Sequence, residues 1–170
     1  MFDIKSAGDF YAVLVEDFDD FVAEPHSARR ALHCAITAFH LYEWVWGDWL
    51  SKDKAARDAM GIASRDRDAF LQWIDRYCVW FQIVQDLANG TKHFGRSTGF
   101  ETMRVVGFGD AGGVGPGGKG YLVIDWGETA GDQRWFPAAH LLEVVVRFWR
   151  DFFRKYRPAD DLPASRHHVD

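Results

Sequence analysis

The chain has 170 residues, a size that favours one domain with a substantial core. It is 48% hydrophobic, with eight Trp and fourteen Phe, so burial can offset folding entropy without a disulfide or structural metal. A formal charge of −5, with no long basic run, argues against broad adhesion to nucleic acid or anionic lipid.

The first pattern is helical. Phe10, Val13, Leu14, Phe18, Phe21 and Val22 repeat at i, i+3, i+4 and i+7 over residues 9–23, with Glu16, Asp19 and Asp20 on or near the wet face. Ser6 or Asp9 can cap this helix, and Pro25 follows its end. Ser27 opens a second helix reaching to about Leu50, with Leu32, Ala35, Ile36, Phe39, Tyr42, Trp46 and Trp49 on its main stripe. A neighbouring line holds His33, Thr37, His40, Glu43 and Trp44. A helix apolar over so much of its circumference belongs at the centre of a bundle or at a subunit interface.

"SKDKAARDAMG" reads as a short helix of two to three turns ending at Gly61. Ser64 then caps a third long helix, whose stripe runs Phe70, Trp73, Ile74, Tyr77, Trp80, Phe81, Val84, Leu87 and Ala88. Gly90 terminates it, because glycine accepts the left-handed conformation without a side-chain clash. From Gly95 the character changes: "MRVVGFG" and "GYLVIDW" read as strands flanking the glycine-rich "DAGGVGPGGKG". A further extended piece, "QRWF", is expected against that hairpin. Pro137 suits the first turn of a last helix, faced by Leu141, Leu142, Val145, Phe148, Trp149, Phe152 and Tyr156 and stopped by Pro158.

The expected fold is mainly all-α. Residues 1–157 form one domain, a bundle of four or five helices, with a β-hairpin inserted at about 95–137 between the third long helix and the C-terminal helix. Residues 158–170, including "RHH", read as a flexible, solvated tail. "MFDIKSAGDF" has no apolar run of signal-peptide length, and no stretch approaches the roughly 20 apolar residues of a membrane helix. Cys34 and Cys78 read as small core residues. The expectation is a soluble, cytoplasmic protein with no membrane partner.

Several motifs invite chemistry. Gly113, four residues, Gly118 and Lys119 nearly spell a phosphate loop, but Gly120 stands where Ser or Thr would hold magnesium, and a strand follows instead of a helix. A hairpin tip is the better reading. His33 and His40 lie seven residues apart, about 10 Å along one helix face, too far to share an ion. His40 and Glu43 are close enough, and His93 would complete an open three-ligand metal site. Against this stands a plain hydrogen bond between His40 and Glu43. Neither a nucleophile elbow nor an exposed electropositive cysteine is present.

"DLANGTKHF" sets Asn89, Lys92 and His93 within five residues at a helix end. Imidazole exchanges protons near neutral pH, and ammonium stabilises charge developing on phosphate, so the trio suits RNA cleavage by the neighbouring 2′-hydroxyl. Equally, Asn89 and Gly90 can cap the helix while Lys92 and His93 neutralise its carbonyls. An all-helical domain with "ANGTKHF" at a helix end resembles the HEPN superfamily of prokaryotic toxin, defence and RNA-processing proteins. Its members commonly carry Arg-x4–6-His, often with Asn directly after the arginine.

Carried over by position, the histidine falls on His93, the asparagine on Asn89 and the arginine on Ala88. Lys92 supplies a positive charge, although it lacks the guanidinium fork. The resemblance implies a homodimer of bacterial defence or toxin–antitoxin type, with RNA or protein as partner and no cofactor. If catalytic, it is a metal-independent endoribonuclease in which His93 is the acid–base, Lys92 contacts phosphate and Asn89 orients substrate, with His40 and Glu43 supporting them from behind. The alternatives are a non-enzymatic interaction or dimerisation module and a small metal-dependent hydrolase using His40, Glu43 and His93.

Overall fold

The computed structural model describes residues 3–63, 65–90, 122–125 and 135–167. Ser6 opens α1, Ala7–Ala23, with a capping box. Its hydroxyl accepts from the Asp9 amide at 3.1 Å, and the Asp9 carboxylate accepts from the Ser6 amide at 2.9 Å. Ser27 caps α2, Ala28–Val45. The two helices are antiparallel: Phe10 stacks on Trp44 (ring centroids 4.9 Å apart), the Thr37 hydroxyl donates to Asp17 at 2.6 Å, and Arg30 binds Glu24 at 3.0 Å.

The expected continuous helix to Leu50 changes pitch. After Val45 the chain widens into a π-helical turn, Trp46–Leu50, in which the Ser51 amide donates to the Trp46 carbonyl at 2.9 Å. The Leu50 carbonyl at that turn's end accepts from the buried Arg57 guanidinium. Arg57 comes from α3, Lys54–Ala59, the short helix expected there. It closes at Gly61 (φ +73°), with the Ile62 amide on the Arg57 carbonyl and the Gly61 amide on the Asp58 carbonyl. Those two bonds satisfy carbonyls that the helix end would leave unpaired.

The third long helix is two helices. α4, Arg67–Tyr77, is capped by Asp66, while Ser64 lies outside the described residues. Cys78 leaves helical geometry, and α5, Phe81–Gly90, starts after Trp80. A straight rod could not serve both packing sites. Phe70 and Trp73 meet Phe152, whereas Phe81 lies against Phe39 and Trp149.

The β-hairpin lies near the C-terminus of the mainly α fold. β1, Val123–Asp125, pairs antiparallel with β2, Trp135–Pro137, in the register Ile124 opposite Phe136. "GYLVIDW" and "QRWF" therefore supply the described pair, and "MRVVGFG", expected as the partner strand, lies outside the described residues, as does the glycine-rich loop at 110–120. The Leu122 amide donates to the Pro25 carbonyl at 3.2 Å, and Phe136 stacks on Trp80 (4.6 Å between centroids), which fixes the pair to the bundle. α6, Ala138–Tyr156, follows directly, with Pro137 as its cap and not inside its first turn.

The core gathers around Trp149 of α6, whose ring is fully buried and whose Nε1 donates to the Ala38 carbonyl of α2 at 2.9 Å. The tryptophans of the second helical run are used by the same chain. Besides Trp44 on Phe10, Trp46 lies over Phe70 and Trp49 against Phe152. Among the described residues only Tyr77 (62%) and Val79 (72%) are large hydrophobic side chains left exposed. No helix among them is long and apolar enough to cross a membrane.

Asp19 departs from expectation. Placed on or near the wet face by its pattern, it is 6% exposed. Its carboxylate accepts from the Ser165 hydroxyl at 2.6 Å and the Arg166 amide at 3.1 Å, which brings the segment after Pro158 back onto α1.

Candidate functional site

The last described turn of α5 is positioned by packing on α2. Phe81, at its start, lies 6.1 Å from Phe39 between ring centroids, whereas Leu87, near its end, shares an apolar cleft with Ala31, Leu32 and Ala35. The helices are therefore antiparallel, and the last turn of α5 sits beside the first turns of α2. In that turn Ala88 is 1% exposed and points into the core, while Asn89 is only partly buried and Gly90 is exposed. The helical period explains the contrast, because adjacent positions are rotated by about 100°. Lys92 and His93 lie outside the described residues.

His40 and Glu43 are brought together but not toward Asn89. Their neighbour Phe39 packs on the start of α5, and Asn89 lies eight residues further along, about 12 Å of helical rise. His40 Nδ1 is 3.0 Å from Glu43 Oε2. Glu43 Oε1 accepts from Arg67 Nη1 at 3.0 Å and from the Tyr42 hydroxyl at 3.3 Å. The Arg67 guanidinium also stands over the Tyr42 ring, 5.7 Å from its centroid. Partial burial, then the Glu43 charge, raises the Tyr42 phenol above its ordinary value.

This arrangement is an ion-pair cluster between α2 and the start of α4. Each Glu43 oxygen already has a protein partner, which is the hydrogen-bonded reading of the His40–Glu43 pair and leaves the carboxylate engaged. Arg67 is its least legible member. It sits in a first helical turn 24 residues away, and no local periodicity links it to Glu43. Among the described residues no group of three or more His, Cys, Asp or Glu side chains is placed to hold a metal ion. The third ligand of the metal reading, His93, falls outside them.

Neither thiol is set up as a nucleophile. Cys34 is fully buried, and burial pushes its pKa well up. Cys78 is raised to about 11 by the same cause, so both remain protonated at neutral pH. Comparison with family models, with curated proteins and with solved structures gives no match to this chain.

Proposed function

We propose that the chain is a HEPN-like helical protein of bacterial defence or toxin–antitoxin type, and that it meets RNA at the end of α5. The observation carrying this reading is the position of Asn89: partly exposed in the last described turn of a packed helix, four residues before His93 in the chain. A rigid helix held on α2 is a suitable base for a polar residue that orients a ligand. The chemistry needs no metal. The 2′-oxygen of a ribose forms a bond to the adjacent phosphorus, and the bond from phosphorus to the 5′-oxygen breaks. His93 exchanges the protons, Lys92 stabilises charge on the phosphate oxygens, and Asn89 orients the strand. A symmetric homodimer would set two such ends in one cleft.

Purified protein incubated with mixed single-stranded RNA in excess chelator tests the catalytic step. Cleavage is expected without divalent metal, and His93→Ala should slow it by about 100-fold or more, the ordinary contribution of an acid–base group. Intact RNA, or equal cleavage by the variant, would remove the ribonuclease assignment.

One observation favours a second reading, a non-catalytic binding or assembly module. The position where the family carries arginine is Ala88, and its side chain is packed in the core. No cation reaches the phosphate from there. Such a module would bind RNA or a protein partner and leave RNA uncut, so retention of full-length RNA by the wild-type chain separates it from the first reading.

A further inference from the structure

A partly enclosed cavity of about 220 Å³ lies between α1, α6 and residues 160–165. That is the space of roughly seven waters in bulk liquid. Its outer wall is fastened at both ends. Arg157 holds Asp160 through Nε at 3.2 Å and Nη2 at 3.1 Å, and the Asp19 carboxylate holds Ser165 and Arg166. These bonds keep Leu162 and Pro163 over the helices, so the cavity is part of the fold.

The lining divides by chemistry. Val146, Leu162 and Pro163 supply apolar surface. The charged groups are Arg150, Arg154 and Asp160. Arg150 binds the Asp151 carboxylate at 2.9 Å, and Asp160 is neutralised by Arg157, while Arg154 forms no ion pair with any described residue. One positive charge is therefore left over. Tyr11 adds a hydroxyl that has no hydrogen-bond partner among the described residues. Burial raises its pKa to about 12, so it remains a neutral donor across the physiological range. Small-ligand sites have this composition: an apolar wall with a few convergent polar groups.

We propose that this cavity binds a small amphiphilic carboxylate, with its carboxyl group against Arg154 and the Tyr11 hydroxyl and its hydrocarbon against Val146, Leu162 and Pro163. The single surplus charge matches a monoanion. A phosphate dianion would bring a second charge beside the Asp160 carboxylate. The site is independent of the α5 end and of the RNA reading.

Titration of the full chain with sodium hexanoate at pH 7, followed by calorimetry or amide NMR shifts, tests the proposal. Hexanoate should bind saturably with a Kd of about 1 mM, a modest −4 kcal/mol for so small a ligand. 1-Hexanol and inorganic phosphate should not saturate. Arg154→Gln should weaken hexanoate by about tenfold or more, and Tyr11→Phe, which keeps the packed ring, by about threefold or more. Circular dichroism identical to wild type certifies both variants as folded. Absence of hexanoate saturation, equally tight hexanol, displacement by phosphate, or unchanged affinity in a folded Arg154→Gln would overturn it.

Discussion

Asp75 lies in the last turn of α4, where helix carbonyls already concentrate negative charge. Its Oδ1 is buried with no hydrogen-bond partner among the described residues, and desolvation raises its pKa above the ordinary carboxylate value. The sign follows directly. A carboxyl whose folded pKa is raised weakens the fold above that pKa, where it is charged, and has no such effect below its unfolded value, where both states are protonated. Asp75→Asn should therefore raise Tm at pH 7 by about 1–3 °C, kept small by partial solvent exposure, with the gain vanishing near pH 3. Scanning calorimetry at the two pH values checks this; an equal or lower Tm at pH 7 would contradict it. Asp19 and Glu43 show what residue patterns conceal. Their partners, Ser165 and Arg67, lie 146 and 24 residues away, and periodicity reports a face, not a distant partner.

At the scale of elements, local rules worked where local forces decide. The Ser6 cap, the Ser27 cap and the glycine stop after α3 all follow from backbone groups within a few residues. Gly61 offers a clean test, since φ is +73° and a Cβ there would meet nothing within 4 Å. Gly61→Ala should cost about 1–2 kcal/mol through backbone strain alone, read as a lower urea midpoint at unchanged slope. An unchanged midpoint would contradict that origin. The break between α4 and α5 was illegible because "YCVWF" contains neither proline nor glycine. Its cause is tertiary: one aromatic group belongs against Phe152 and the next against Phe39 and Trp149. The pairing of "GYLVIDW" with "QRWF" agrees with the extended piece expected against the hairpin, while "MRVVGFG" falls outside the described residues.

For the whole molecule, the aromatic surplus of the second helical run had two readings, bundle centre or subunit interface. In the structure Trp44, Trp46 and Trp49 pack on Phe10, Phe70 and Phe152 of the same chain while remaining partly exposed at the edge of the core. The candidate site was legible as a set of residue types at a helix end. Its geometry was not, since helical periodicity directs side chains only within the pattern that the sequence closes at Gly90, short of Lys92 and His93. The structure adds that Ala88 is buried while Asn89 is only partly buried, and that His40 and Glu43 follow Phe39, which packs at the start of α5.

The most direct test of the central claim is equilibrium binding of a fluorescent, 2′-O-methylated single-stranded RNA, which lacks the attacking hydroxyl and cannot be cut by this route. The RNA reading predicts saturable binding that weakens with salt, and a Lys92→Ala variant with about three- to tenfold lower affinity and a salt slope smaller by about 0.7. No binding at low salt, or the same affinity and slope for wild type and Lys92→Ala, would contradict it.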